Sequence, residues 1–369
     1  MRPAALLLAL ALAACTTAPP AIPGPSPTPE PGFLDVTALL DLSGSRAPRG
    51  EPQRNALQLW TDLDRARGGG QARVRLKVVD VGGSDARVLI ELRRAAVEER
   101  ADAVIVGVPV SFATPAFSDA VRVAAMPVIL TLPATEPSGI GAGRWIFSVA
   151  PTPEQVARRM VVPATRALVL VRDDRPPDPE AAALVREHEQ RLLSSIVFRV
   201  GSQDQAVVAR AAADAGRVYL AGPPRDWAAL APVLRTSARL PTYVLSWLAD
   251  PADLGELREL DSVWPGAASL GASLVSGTRR EVVRGYADRH GAPTSAALGA
   301  YDAVSALALA AERVGPDDRE RLREALELVA FVGVASTYAF SETRHAGFSG
   351  DDVALYRWSG GHVVADLRR

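Results

Sequence analysis

Apolar and polar positions follow two periods along this chain, and the changes of period mark its elements. "FLDVTALLDL" (33–42) is an apolar, β-prone run that halts at "SGSRAPRG" (43–50), so a strand and then a turn are predicted. In "EPQRNALQLWTDLDRA" the positions Ala56, Leu59, Trp60 and Leu63 recur at helical spacing, and Gly68, Gly69 and Gly70 supply the stop. "VRLKVVDV" then alternates as a strand. "SDARVLIELRRAAVEER" reads as an amphipathic helix with Ser84 as its cap, three residues before Arg87. "ADAVIVGV" is a continuous apolar run, as expected of a strand covered on both faces. "TPAFSDAVRVAAM" and "PVILTL" add a helix and a strand.

The alternation starts again after "APTPEQVARRM". "ALVLVRDD", "IVFRV", "RVYLAG" and "PTYVLSW" read as strands, separated by the helices "PDPEAAALVREHEQRLLSS", "QAVVARAAADA" and "DWAALAPVLRTSA". Strands alternating with helices imply right-handed crossovers and parallel sheets. Three helices follow, "RREVVRGYADRHG", "SAALGAYDAVSALALAAERVG" and "DRERLREALELV", the middle one with Ala on its packing face so that backbones can approach closely. The tail returns to aromatic and β-branched, strand-like patches. The expected fold is α/β, with two doubly wound parallel-sheet lobes one after the other.

The amino-terminal segment follows other rules. Met1-Arg2 is a short positive start, and the apolar run from Ala4 to Leu12 falls short of the ~20 residues that span a bilayer, so it fits a secretory signal. The stretch "LAAC" that ends at Cys15 resembles the bacterial lipobox. That resemblance implies cleavage before Cys15, a diacylglycerol thioether on its sulfur and attachment to the membrane; an ordinary signal peptide ending near a free thiol is the alternative. "TTAPPAIPGPSPTPEPG" (16–32) is rich in Pro and reads as an extended, semi-rigid tether. Residues 1–15 are thus the signal and lipobox, and 16–32 the tether. Cys15 is the single cysteine, which excludes an internal disulfide. The remaining chain exceeds the ~250–300 residues at which a single core stops growing.

A net charge of −1 with Arg and acids interspersed gives no basic stripe for nucleic acid. Catalysis and metal binding find little support either. His188, His290, His345 and His362 are scattered without metal-ligand spacing, and no nucleophile elbow, phosphate-binding loop or zinc-protease motif occurs. No cofactor is expected.

Past the tether the chain resembles the type I periplasmic binding proteins of the leucine/isoleucine/valine-binding group, the solute receptors of ABC importers. The resemblance rests on "SGSRAPRG", "VDVGGSD", "SFATPAFSDA", "PVILTLPAT", "IFSVAPTPEQ", "AYDAVSALALAAERVG" and "STYAFSETRHAG", taken together and in this order. It implies a three-crossing hinge, with lobe one at 33–150 plus 270–333 and lobe two at 151–269 plus 334–369. It also places Ser111 and Thr135 where lobe-one hydroxyls and amides receive a ligand carboxylate, with Thr114 nearby and Leu132, Pro133 and Ala134 along the wall. The same Ser and Thr residues also suit helix caps and turns. Arg46 and Arg49, after the first strand, would greet an acidic ligand if they face the cleft, and are otherwise solvated.

In the second lobe the resemblance thins. Pro223 and Trp247 stand where amino-acid-binding relatives carry an aromatic residue and a carboxylate, with Asp226 and Asp250 nearby as acceptors for a cation, so an aliphatic amino acid ligand does not follow. Two functions remain open. One is a lipid-anchored solute-binding protein outside the cytoplasm, on the periplasmic or extracellular face, which closes on a small ligand and delivers it to an ABC permease. The other is a ligand-free scaffolding lipoprotein that engages a cell-envelope enzyme, similar to the outer-membrane activators of peptidoglycan synthases.

Overall fold

The computed structural model describes residues 32–68, 73–110, 115–134, 141–162, 166–173, 178–191, 195–201, 205–238, 241–247, 257, 260–270, 277–316, 318–359 and 362–365. Cys15 and the tether lie outside them.

The first sheet has the order β2-β1-β3-β4-β5 and is parallel throughout, from β1 (Phe33–Leu40), β2 (Arg73–Asp80), β3 (Ala103–Val106), β4 (Val128–Leu130) and β5 (Ile146–Ser148). Every residue of β3 and β4 is buried, which is why those segments carry no polar alternation. Helices α2 (Asp85–Val97) and α3 (Pro115–Ala124) cover one face through Val88, Leu92, Phe117 and Val121. On the other face lie α1 (Ala47–Ala66) and, from far along the chain, the Ala-rich helix over Ser295–Val314.

The second sheet has the order β14-β13-β10-β9-β8-β6-β7. Strands β6 (Ala167–Arg172), β7 (Ser195–Val200), β8 (Arg217–Leu220), β9 (Thr242–Val244) and β10 (Ser262–Ala267) run parallel. The tail adds β13 (Val353–Ser359) and β14 (His362–Ala365) antiparallel at the edge. Helices α4 (Pro153–Met160) and α5 (Pro179–Gln190) pack into the core of one face, and α6 (Gln205–Asp214) and α7 (Ala231–Ser237) cover the other. A full capping box starts α4, with Thr152 and Gln155 bonding each other's backbone N–H. After β10, helices α8 (Gly277–His290), α9 (Ser295–Val314) and α10 (Arg319–Glu327) precede the short pair β11 (Ala330–Val332) and β12 (Thr337–Ala339).

Between β12 and β13 the chain pairs with the edge of the first sheet: Ser148 pairs in parallel with Ala346, its N–H donates to His345 O at 2.9 Å, and it accepts from Gly347 N at 3.0 Å. The physical reason is the exposed edge of β5, whose backbone groups this segment satisfies. The chain then passes to β13 through the turn at Gly350–Asp352.

One buried carboxylate ties this region together. Asp302 of α9 is fully buried and accepts from Val334 N and Ala335 N, both at 2.6 Å, and from the Tyr338 hydroxyl at 3.0 Å. The same hydroxyl oxygen lies 3.2 Å from Val149 O, where the chain first leaves β5. Burial pushes the Asp302 carboxyl up to about 7 against those three donors.

Candidate functional site

Ligands of open parallel sheets sit beyond the carboxyl ends of the strands. On lobe one this rim is cross-braced. Asp80, ending β2, accepts from Leu42 N after β1 and from Gly82 N, both at 2.8 Å, while the buried Asp41 accepts from Gly83 N at 2.6 Å. The Ser43 hydroxyl holds the Asp80 carboxyl below its ordinary range. Gly50 lets α1 cross close to the end of β1, since a Cβ there would lie 1.9 Å from Asp41 O. Arg46 sits over Gly83 with Nη1 at 4.0 Å from both Asp41 and Asp85, so its charge faces carboxylates of its own lobe.

A second brace fixes the loops after β3 and β4. Buried Gln53 donates to Gly107 O at 2.8 Å and accepts from the Thr131 hydroxyl at 2.6 Å. These bonds set the starts of the segments that carry Ser111, Thr114 and Thr135, three expected ligand residues that lie outside the described residues. Of the expected wall, Pro133 is half-buried and Ala134 joins the core beneath α2 and α3.

On lobe two, a cavity of about 450 Å³ opens at the ends of β6, β7 and β8. Val171, Val185 and Val197 form apolar wall, and Arg172, Arg199, Asp178 and Asp226 add both signs of charge. Pro223 lines it. Its loop is held from below by Trp227, fully buried, whose indole N–H donates to Ala221 O at 3.0 Å. Asp178 caps α5 by accepting from Ala181 N at 2.9 Å. Burial raises its carboxyl, and burial plus the Asp178 charge raise that of Glu180 well above the ordinary value.

Trp247 does not line this cavity. Its ring is only 2 % exposed, packed edge-on against Phe348 with centroids 5.4 Å apart, and its backbone N–H donates to Glu180 at 3.4 Å. Its contacts are therefore with Phe348 and with Glu180, which sits between the cavity-lining Pro179 and Ala181. The two rims meet where Arg225, beside the cavity loop, donates to Ser45 O of lobe one at 3.4 Å.

Sequence reasoning passed over Gln53, Thr131, Asp41, Asp178 and Glu180. For Asp178 a signal existed, because "DPE" ahead of an apolar helical run is a cap followed by Pro at the first helical position. For Gln53 and Thr131 none did, as they meet across 78 residues of chain. The histidines are dispersed: His188 is buried beside Tyr219, His345 stacks on Phe147, and His290 lies beside Tyr286. Among the described residues no three His, Cys, Asp or Glu side chains are grouped to hold a metal, and no helix is long and apolar enough to cross a membrane.

Residues 34–362 match the family model described as "Periplasmic binding protein". No curated protein matches the sequence. Among solved structures, an extracellular ligand-binding receptor from Rhodopseudomonas palustris aligns with TM-score 0.74 at 18% identity, covering 90% of this chain and 99% of that one. The branched-chain amino acid transporter substrate binding protein LivJ from Streptococcus pneumoniae, in complex with isoleucine, aligns with TM-score 0.72 at 17% identity over 91% and 99% of the two chains. A solute binding protein of an ABC transporter from R. palustris, in complex with benzoate, aligns with TM-score 0.67 at 16% identity over 90% and 95%. At these identities the likeness is one of fold.

Proposed function

The chain belongs to the periplasmic binding protein family, and from that premise we propose that it is a lipid-anchored solute receptor that closes two lobes on a small, carboxylate-bearing ligand and delivers it to an ABC permease. The observation that carries this reading is the meeting of the two strand-end rims at Arg225 and Ser45 beside the lobe-two cavity. A ligand in that place touches both lobes, and only such a ligand favours the closed state. The anionic end docks on lobe one, at Ser111, Thr114 and Thr135, where hydroxyls and helix amides attract negative charge. Isoleucine and benzoate, held by two proteins of the same fold, both carry a carboxylate. The lobe-two cavity, with two arginines and two aspartates, selects the other end.

The anchor is Cys15, acylated after cleavage of the leader, which places the protein on the periplasmic or extracellular face of a membrane. A thermal-shift screen against branched-chain amino acids, dicarboxylates, amides and aromatic acids tests the receptor reading. A ligand present at 100 times its Kd stabilises the fold by about 2.7 kcal/mol. The expected outcome is a saturable shift with one class of carboxylates, lost in Ser111→Ala and Thr135→Ala. No shift across the screen would turn the assignment toward the scaffolding alternative.

A further inference from the structure

A larger cavity, about 660 Å³, lies between α1, α9 and β11 and shares no lining residue with the lobe-two cavity. Its aromatic walls are fixed. Trp60 and Tyr301 are 8 % and 6 % exposed, and the Trp60 indole N–H donates at 2.9 Å to Ser305, whose hydroxyl in turn donates to Tyr301 O at 3.0 Å. The charged groups divide by what they already do. Arg67 donates to the Tyr301 hydroxyl, and Arg279 donates to Gly333 O at 2.7 Å and to the Thr337 hydroxyl at 3.3 Å. Asp302, at the wall beside Gly333, already faces three protein donors. That leaves the carboxylates of Asp64 on α1 and the exposed Glu312 on α9, which make no hydrogen bond or ion pair among the described residues.

Aromatic faces attract cations through the ring quadrupole, and carboxylates facing from two helices add to that attraction. Both guanidinium groups on the lining are held against neutral protein acceptors, the Tyr301 hydroxyl for Arg67 and Gly333 O and the Thr337 hydroxyl for Arg279. We infer that this cavity binds a small organic cation, a protonated amine carried on an apolar or aromatic body. The volume falls in the range of small-molecule sites, about 300–1,000 Å³.

Isothermal titration of the mature protein with 2-phenylethylammonium tests the site, with phenylacetate as the anion of matched shape. Saturable binding of the amine is expected, weakened about tenfold in the Asp64→Asn/Glu312→Gln double variant and unchanged in Ser111→Ala, with phenylacetate at least about tenfold weaker than the amine. Three results would overturn the assignment: no saturable binding of the amine, equal binding of the two probes, or an affinity unmoved by the double variant. Amine binding lost in Ser111→Ala but kept in the double variant would place the amine in the interlobe cleft, and equally overturn it.

Discussion

The two strand-end rims are built from similar residues used in opposite ways. On lobe one the acids are consumed by backbone: Asp80 takes two N–H groups and Asp41 one, and both tie neighbouring loops together. On lobe two, Asp178 and Glu180 accept few bonds for their burial, so desolvation dominates and their carboxyls are raised. One rim is a pre-organised platform and the other a cavity whose charge responds to its surroundings. On the proposed receptor reading this is a division of labour, in which lobe one would hold the feature common to the ligands and lobe two would read what differs.

The largest effect should come from Trp247. Because the ring is enclosed by protein, Trp247→Ala should cost about 3–5 kcal/mol of stability, read as a lower urea midpoint. A variant of unchanged stability and weaker ligand affinity would instead make Trp247 a contact residue and the lobe-two rim wider than described. The lobe-one brace comes next. Thr131→Val leaves Gln53 Oε1 short of a buried donor and should cost about 1–3 kcal/mol. It should also weaken carboxylate binding, because Thr131 sets the loop that leads to Thr135. Equal loss of stability with full affinity would show that the platform needs no brace.

The raised acids of lobe two give a pH signature of defined sign. The native state holds the Glu180 proton more tightly than the unfolded chain, whose value is near the ordinary 4.5. The contribution to stability is therefore complete below that value and is lost as pH rises through the native one. Relative to Glu180→Gln, the wild type should lose stability as pH rises above about 4.5, in chemical denaturation followed across pH. A flat difference would place Glu180 in contact with water and remove the contrast between the rims. The smallest effect belongs to Arg46→Ala. With Asp41 and Asp85 4.0 Å from Arg46 Nη1, the substitution should shift the affinity of a monocarboxylate by less than about threefold. A larger loss for dicarboxylates than for monocarboxylates would add Arg46 to the site.

The alternating strands and helices were readable because both lobes bury continuous apolar strands between amphipathic helices. The close packing of α1 and α9 announced itself in the alanines of "SAALGAYDAVSALALAAERVG". Two sheet strands, β5 and β10, were not readable, although β4 and β9, as short as β5, were. β5 is three residues within "IFSVAPTPEQ", and β10 carries Pro265, which argues against a central strand. The structure accommodates Pro265 because β9 pairs only with Ser262 and Val263, leaving Pro265 beyond that ladder. The pairing of residue 346 with β5 was unreadable for a related reason, since it depends on an edge that no local pattern reveals. Pro223, on the cavity lining, was named from its loop. The bracing pairs, and the enclosure of Trp247 by Phe348, depend on contacts between distant segments.

The central claim is that the rims close on a carboxylate, and interlobe distance tests it most directly. Spin labels at Arg87→Cys on α2 and Thr236→Cys on α7, in mature protein with Cys15 replaced, report the separation of the lobes by pulsed electron resonance. With the carboxylate that gives the greatest thermal shift, the distribution should contract to a single shorter distance, and Thr135→Ala should require about ten to a hundred times more ligand for the same change. A distribution that a saturating, stabilising ligand leaves unchanged would contradict closure, and with it the assignment of this cleft as the receptor site.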